Sequence, residues 1–264
     1  MNVKNGMIAT FIVALQLTTY IAGAVIGEDF WTLKEKTNEG ADFELRFTDL
    51  KDVLTGVPHV SEKKSSEIVL VMPTSSGQKV SFKFYQNNVI HPKLEKKYPE
   101  IQTYVGIGID NPTHRATIVL NGDRIIGSVE SNKEPSFFKS FNIHDRRNGI
   151  LVYSETISNQ DIICNAKSSI SDQNREFPDC MGTDDPCYPV GVELVTYRFA
   201  AMLTEAVTND AADGTVEGGL TWVVGAVAYV NAMYVRDVTF QLQIIENNDE
   251  LIFTDSNPAP EAFN

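Results

Sequence analysis

The sequence of 264 residues carries a formal net charge of -13, with 42% apolar and 22% charged residues. This composition is close to the globular average and excludes a chain that is disordered throughout. The negative charge argues against nucleic acid as a partner, because the phosphates would be repelled. On length alone the chain can form one large domain or two ordinary ones.

The first 27 residues have the layout of a secretory signal peptide. Lys4 precedes an apolar stretch from Met7 to Ile26, and Ala22-Gly23-Ala24 supplies small residues for cleavage. The alternative is a membrane anchor, because about 20 apolar residues approach the length of a bilayer span. We expect cleavage, which predicts a secreted, extracellular protein without a stable membrane anchor.

Residues 28–158 are predicted to form an antiparallel β-rich domain. Apolar residues alternate with polar ones in Asp42–Thr48 and Lys79–Tyr85, which is the pattern of half-buried strands. The turn signals Ser75-Ser76-Gly77 and Asn121-Gly122 predict hairpins between further strands. These further strands are predicted at Ile68–Met72, Gln102–Ile109, Arg115–Leu120, Arg124–Val129 and Ile150–Tyr153.

Residues 159–191 are predicted to be an exposed linker, since Ser, Asn, Asp, Pro and Gly dominate and no periodicity is visible. Exposed polar linkers are the usual sites of proteolytic cleavage. All three cysteines of the chain, Cys164, Cys180 and Cys187, lie in this segment. In an oxidising compartment an odd number indicates one disulfide and one free thiol, and the three possible pairings remain open.

Residues 192–264 change to a mixed α/β pattern. Glu193–Leu203 alternates like a strand, although Phe199–Ala206 is also compatible with a helix. Residues 215–235 are predicted to be helical with Thr215 as the N-cap, and Val238–Ile244 alternates as a second strand. This order predicts two parallel strands joined by a right-handed crossover. One such unit buries little of its sheet, so we expect it to be truncated or supported by something else. The predicted fold class is α+β.

Familiar catalytic motifs are missing from the printed sequence. It contains no HExxH, no GxSxG, no phosphate-binding glycine loop and no CxxC. The four histidines, His59, His91, His114 and His144, are isolated from one another in the sequence. A helical zinc site needs two histidines one turn apart, so these four are expected to be surface or loop residues. The residues alone nominate no catalytic and no cofactor-binding side chain.

Several segments, in matching order, resemble bacterial secreted reprolysin-like metalloproteases, which are zinc enzymes of the adamalysin type within the metzincins. Lys97–Pro112 resembles the "YPEI-TY-G-G-DDP" segment of their propeptides, and the strand Arg115–Leu120 and Leu151–Tyr153 extend the likeness. Val195–Ala200 resembles the "RTYRLA" first strand of the catalytic domain. Val230–Asp237 resembles the "VN-VYERD" end of its first helix.

The resemblance implies that residues 28–158 are a propeptide and that residues 192–264 begin a metzincin-like catalytic domain. The whole would be a zymogen, the precursor of a zinc endopeptidase that hydrolyses peptide bonds in proteins or peptides. In the family, HExxHxxGxxH holds the zinc that activates water. That motif is absent from this chain and would lie beyond Asn264, so we expect the chain as given to be truncated and inactive. The propeptide would act on its own catalytic domain.

Cys180 has a further implied role. Pro178–Thr183 resembles the cysteine switch of related proenzymes, in which a thiolate occupies the open zinc position and excludes water. Cys180 is therefore a candidate inhibitory metal ligand, and a disulfide with Cys187 is the alternative. A second functional hypothesis is that the chain is a stand-alone secreted binding or protease-inhibitory module.

Overall fold

The computed structural model describes residues 27–62, 64–131, 135–140, 150–154 and 193–260. These residues form a mixed, mostly β structure with a nine-stranded antiparallel sheet and a two-stranded parallel sheet, which agrees with the α+β class. The large sheet contains β1 (Trp31–Lys36), β2 (Gly40–Leu45), β3 (Val69–Pro73), β4 (Lys79–Gln86), β5 (Ile101–Gly108), β6 (Arg115–Asn121), β7 (Arg124–Glu130), β8 (Ser136–Ser140) and β9 (Ile150–Tyr153). Its order is β1-β2-β9-β8-β7-β6-β5-β4-β3.

Seven of the nine strands of the large sheet overlap predicted strands, and β9 has the predicted bounds. Strand β6 is buried on both faces rather than half-buried. The prediction over Asp42–Thr48 is wrong at its end, because β2 stops at Leu45 and the helix α1 (Phe47–Leu54) begins two residues later. Leu50 and Leu54 are buried one turn apart on α1, so burial on a helical face overrides the period-two pattern there. Strands β1 and β8 were not predicted.

The hairpin between β6 and β7 is present, but its loop is shifted by one residue from the predicted Asn121-Gly122. Asn121 pairs with Arg124 as the last residue of β6, so the loop consists of Gly122 and Asp123. Gly122 has φ 59°, a conformation that glycine adopts without steric cost. The displacement leaves Asn121 in the sheet, where its side chain points away from the first core.

The first hydrophobic core lies on one face of the large sheet. Alternate residues of a strand point to opposite faces, and Ala116, Ile118 and Leu120 of β6 all belong to this core. Trp31 of β1 packs edge-on against Phe138 of β8, with ring centroids 5.1 Å apart. The core thus joins the amino-terminal strands to the middle of the sheet. It is completed by Phe43, Leu50, Leu54, Leu70, Met72, Phe82, Phe84 and Val152.

The carboxy-terminal elements form the predicted strand–helix–strand unit. They are β10 (Val195–Phe199), α3 (Glu205–Ala211), α4 (Val216–Asp237) and β11 (Phe240–Ile244). Strands β10 and β11 are parallel, and Thr215 caps α4 by accepting a 2.9 Å hydrogen bond from the backbone of Gly218. The parallel pair and the cap confirm the sequence prediction. The helical alternative for Phe199–Ala206 holds only for Glu205 and Ala206, which begin α3. The strand predicted over Glu193–Leu203 is too long, because β10 ends at Phe199.

A second hydrophobic core joins this unit to the opposite face of the large sheet. Val119 of β6 and Ile126 of β7, which alternate with first-core residues, pack with α4. The α4 side of this core includes Leu220, Val223, Val224, Val227 and Ala228. The unit is therefore supported by the large sheet, which covers apolar surface that the unit alone would expose.

Helix α4 is long and apolar enough, by length and composition, to cross a membrane. However, 61% of its most apolar window is buried inside the fold, and the core helix of a globular protein passes the same test. Its contacts with β5, β6, β7 and β11 explain this apolar character as core packing.

Candidate functional site

Cys180, the candidate inhibitory zinc ligand, lies outside the described residues, as do Cys164, Cys187 and His144. Among the residues that the structure describes, no three Asp, Glu, His or Cys side chains are grouped as metal ligands. We therefore assign no reaction step to a metal ion.

The three described histidines have separate local partners. The Nδ1 atom of His59 lies 2.6 Å from the hydroxyl of Ser61, and His114 bonds to the side chain of Asn111. His91 is the N-cap of the short helix α2 (Pro92–Lys97), where its Nδ1 accepts a 3.3 Å hydrogen bond from the backbone N–H of Lys93. His91 also lies beside a cleft with several polar residues in its lining.

This cleft forms where parallel backbone segments end together. Beside the pair β10–β11, the backbone N–H of Ile244 donates to the carbonyl of Val89 at 2.8 Å. The N–H of His91 in turn donates to the carbonyl of Ile244 at 2.9 Å. Residues 89–91 therefore extend the parallel sheet on the side of β11 opposite β10, and all three segments run toward the same edge.

The small sheet has one apolar and one polar face. Phe199 and Leu242 pack in the second core beside α4, and the ring of Phe240 lies 4.7 Å from that of Tyr234. The alternate residues are polar and occupy the other face. There the register pairs Thr196 with Gln241 and Arg198 with Gln243.

At the carboxyl end of this polar face lies a cleft of about 370 Å³, which we call the polar cleft. It is lined by His91, Arg198, Gln243, Ile244, Ile245 and Glu246. Glu246 forms an ion pair with Lys93, with 2.6 Å between Oε2 and Nζ, and that hydrogen bond lowers the pKa of Glu246. The guanidinium of Arg198 forms no hydrogen bond or ion pair within the described part of the chain.

Neither Arg198 nor Gln243 was predicted as a site residue, and His91 was predicted to be a surface or loop residue. The available signal was the polar half of each alternating strand, Thr196 and Arg198 in one and Gln241 and Gln243 in the other. That signal indicates a solvent-facing sheet surface but does not reveal that His91 lies next to it.

The large sheet and the carboxy-terminal unit are also joined by polar contacts. Arg124 of β7 pairs with Asp213, and Arg236 at the end of α4 lies 3.3 Å from the carboxylate of Glu130. Arg236 also donates a 2.7 Å hydrogen bond to the carbonyl of Thr113. These contacts flank the second core on both sides of α4.

Asn231 of α4 is buried and bonds with both backbone groups of one residue in β11. Its Nδ2 donates to the carbonyl of Leu242 at 2.8 Å, and its Oδ1 accepts from the N–H of Leu242 at 2.7 Å. The carboxamide thus satisfies the backbone of β11 at Leu242, and residues 89–91 satisfy it two positions further along, at Ile244. The helix is fixed to the strand by this double contact.

No family model, no curated protein and no solved structure matches this chain.

Proposed function

We propose that this chain supplies the propeptide and the first strand–helix–strand unit of a secreted zinc metalloendopeptidase of the reprolysin-like, metzincin kind. The observation that carries the proposal is the placement of two resembling segments. Val195–Ala200 spans β10, and Val230–Asp237 forms the end of α4, so both lie in one parallel unit in the expected order.

The hydrogen bonds of Asn231 explain why the second of these segments contains an asparagine. The "VN" of the family segment corresponds to Val230-Asn231 here, and the buried Asn231 carboxamide satisfies the N–H and C=O of Leu242. An unpaired backbone group in that position would cost about 1–3 kcal/mol. A residue of this kind at this position supports the proposed relationship, because an apolar side chain could not replace both bonds.

In this proposal the large sheet acts as the propeptide and the folding partner of the catalytic unit. The shared second core gives it a surface for that task, since Val119 and Ile126 cover α4. The partners of the whole enzyme would be protein or peptide substrates. Zinc would be held by residues outside this chain, with Cys180 as an inhibitory ligand.

The first test is the natural transcript downstream of the Asn264 codon. We expect an in-frame segment that encodes HExxHxxGxxH, and a recombinant protein that includes it should hydrolyse a peptide substrate in a chelator-sensitive manner. The chain of 264 residues serves as the matched control and should be inert. A transcript without this motif, or chelator-sensitive hydrolysis by the control, would contradict the proposal.

Secretion is tested separately by mass spectrometry of protein recovered from the culture medium. We expect a mature amino terminus close to residue 28, which corresponds to removal of residues 1–27. Retention in the membrane fraction with Met1 intact would contradict the signal-peptide part of the proposal.

A stand-alone secreted binding or protease-inhibitory module is the second candidate. It is favoured by the closure of the second core, in which the described residues alone suffice to bury Leu203, Ile244 and Ile252. The transcript experiment separates the two functions, because a stop codon after Asn264 favours the module.

A further inference from the structure

We propose that the polar cleft binds an oxyanion, the carboxylate or phosphate group of a small ligand, with Arg198, His91 and Gln243 as the hydrogen-bond donors. The proposed protease function does not use this cleft, so anion binding there is compatible with either candidate function.

Arg198 is the first element of the site. Its guanidinium offers five N–H donors in a planar fork that matches carboxylate and phosphate oxygens. None of these donors has a protein partner in the part of the chain that the structure describes, and the side chain lines the cleft. Arg198 is exposed and its guanidinium is attracted by Glu246, but a ligand can bind these donors without breaking a hydrogen bond between described residues.

His91 supplies a second donor. Its Nδ1 accepts the backbone N–H of Lys93 at 3.3 Å and lies 4.0 Å from Oε2 of Glu246, so the donor that we assign to the ligand is the Nε2–H. The residue is held in place because its own backbone N–H bonds to Ile244. A fixed imidazole with an available N–H completes one wall of the cleft.

The local charge also favours an anion. Arg198 and Lys93 contribute two positive charges around the single carboxylate of Glu246, and Lys93 pairs directly with that carboxylate. This excess of positive charge is a local feature of the cleft, since the chain as a whole has a net charge of -13.

The position in the fold is consistent with a binding site. In open α/β sheets, ligands bind beyond the carboxyl ends of parallel strands. Here three parallel segments end together and place Arg198, Gln243 and His91 along that edge. His91 precedes the linker and Arg198 follows it, so the site exists only when the two halves of the chain are packed together.

The test is a titration of the full chain with inorganic phosphate and, separately, with acetate, followed by the NMR signal of the Arg198 side-chain N–H. We expect saturable shifts with at least one probe, and the probe that binds more tightly identifies the ligand group. Arg198→Ala, followed through a backbone N–H signal of the cleft, should weaken binding roughly tenfold or more, which corresponds to one lost charged hydrogen-bond pair.

Gln243→Ala and Gln241→Ala form a matched pair on the same strand and the same face. Gln243→Ala should weaken binding a few-fold, followed through a backbone signal of the cleft, whereas Gln241→Ala should leave it unchanged. Thermal unfolding of each variant confirms that it is folded. Absence of saturation with both probes would overturn the proposal, as would equal weakening by both glutamine variants. Neither result depends on the transcript, so a failed site and a failed protease assignment remain distinguishable.

Discussion

The side-chain amide of Asn121 donates a hydrogen bond of 2.8 Å to the hydroxyl of Thr221, and both side chains are buried. The hydroxyl of Thr221 donates in turn to the carbonyl of Glu217 at 2.7 Å. This chain of bonds crosses the second core from β6 to α4. A buried polar pair at this position fixes the register of the helix on the sheet, because any sliding would leave the buried Asn121 amide without its acceptor.

Substitution Thr221→Val should lower the free energy of unfolding by about 1–3 kcal/mol, because the buried amide of Asn121 loses its acceptor. Urea unfolding monitored by fluorescence measures the change. Thr196→Val is the matched control, since its hydroxyl accepts an exposed hydrogen bond from Gln241. The control should change stability by less than about 0.5 kcal/mol, and equal losses in both variants would contradict the importance of burial.

Substitution Gly127→Ala should destabilise the large sheet by about 1–3 kcal/mol, because the added methyl group overpacks the core. The methyl would contact the ring of Phe138 and lie 2.5 Å from the carbonyl oxygen of Thr117, which is backbone and cannot move aside. Gly56→Ala is the control, because its methyl would lie at an ordinary 3.4 Å from Ile68. The comparison uses thermal unfolding, and a Gly127 variant as stable as the control would show that the sheet relaxes freely.

Asp237 should contribute an acid-sensitive component to stability. Two hydrogen bonds from Arg236 lower the pKa of Asp237 below its ordinary value of 3.8. A lowered folded-state pKa gives stability that is present above the unfolded pKa and is lost as pH falls through the folded one. The side chain is half exposed, so the component should be small, about 0–1 kcal/mol.

The measurement for Asp237 is the melting temperature from about pH 6 down to about pH 2, for the native chain and for Asp237→Asn. The native chain should lose slightly more stability over the acid part of this range, because the variant has no carboxylate to protonate. Parallel curves for the two proteins would contradict the role of the Arg236 contact.

Residues 192–264 expressed alone should not fold, because the large sheet supplies one side of the second core. We expect a circular dichroism spectrum without a cooperative thermal transition. In contrast, the full chain cut once within residues 159–191 should remain a single species in gel filtration. Cooperative unfolding of the isolated fragment, or separation of the cut halves, would show that the shared core is not needed.

The sequence predicted those elements whose signals are local. Thr215 was recognised as the cap of α4 because a capping hydroxyl and its helix are neighbours in sequence. Strand β1 was missed for a related reason, since only Trp31 of its six residues is buried and no alternation is visible. Where burial on one side is slight, hydrophobic periodicity disappears.

The polar cleft could not be predicted, because its residues meet only through tertiary packing. His91 is more than one hundred positions from Arg198, and the bonds that bring it alongside β11 are backbone bonds that any sequence can make. The displaced hairpin loop after Asn121 has a similar origin. With Asn121 in the strand, its side chain can bond to Thr221, which is distant in the sequence. No local sequence pattern therefore predicts this placement.

The short segment before β1 has a protective role. Glu28 bonds with the backbone of Val69 and Val71 at 2.8 and 2.9 Å, and Asp29 pairs with Lys79. The outer edge of β3 is therefore covered at this point, whereas an open edge strand is a template for aggregation. Under the proposed removal of residues 1–27, the cleavage position has a structural consequence: a mature chain beginning at Glu28 would keep this edge covered, and one beginning at Phe30 would leave it open to other chains.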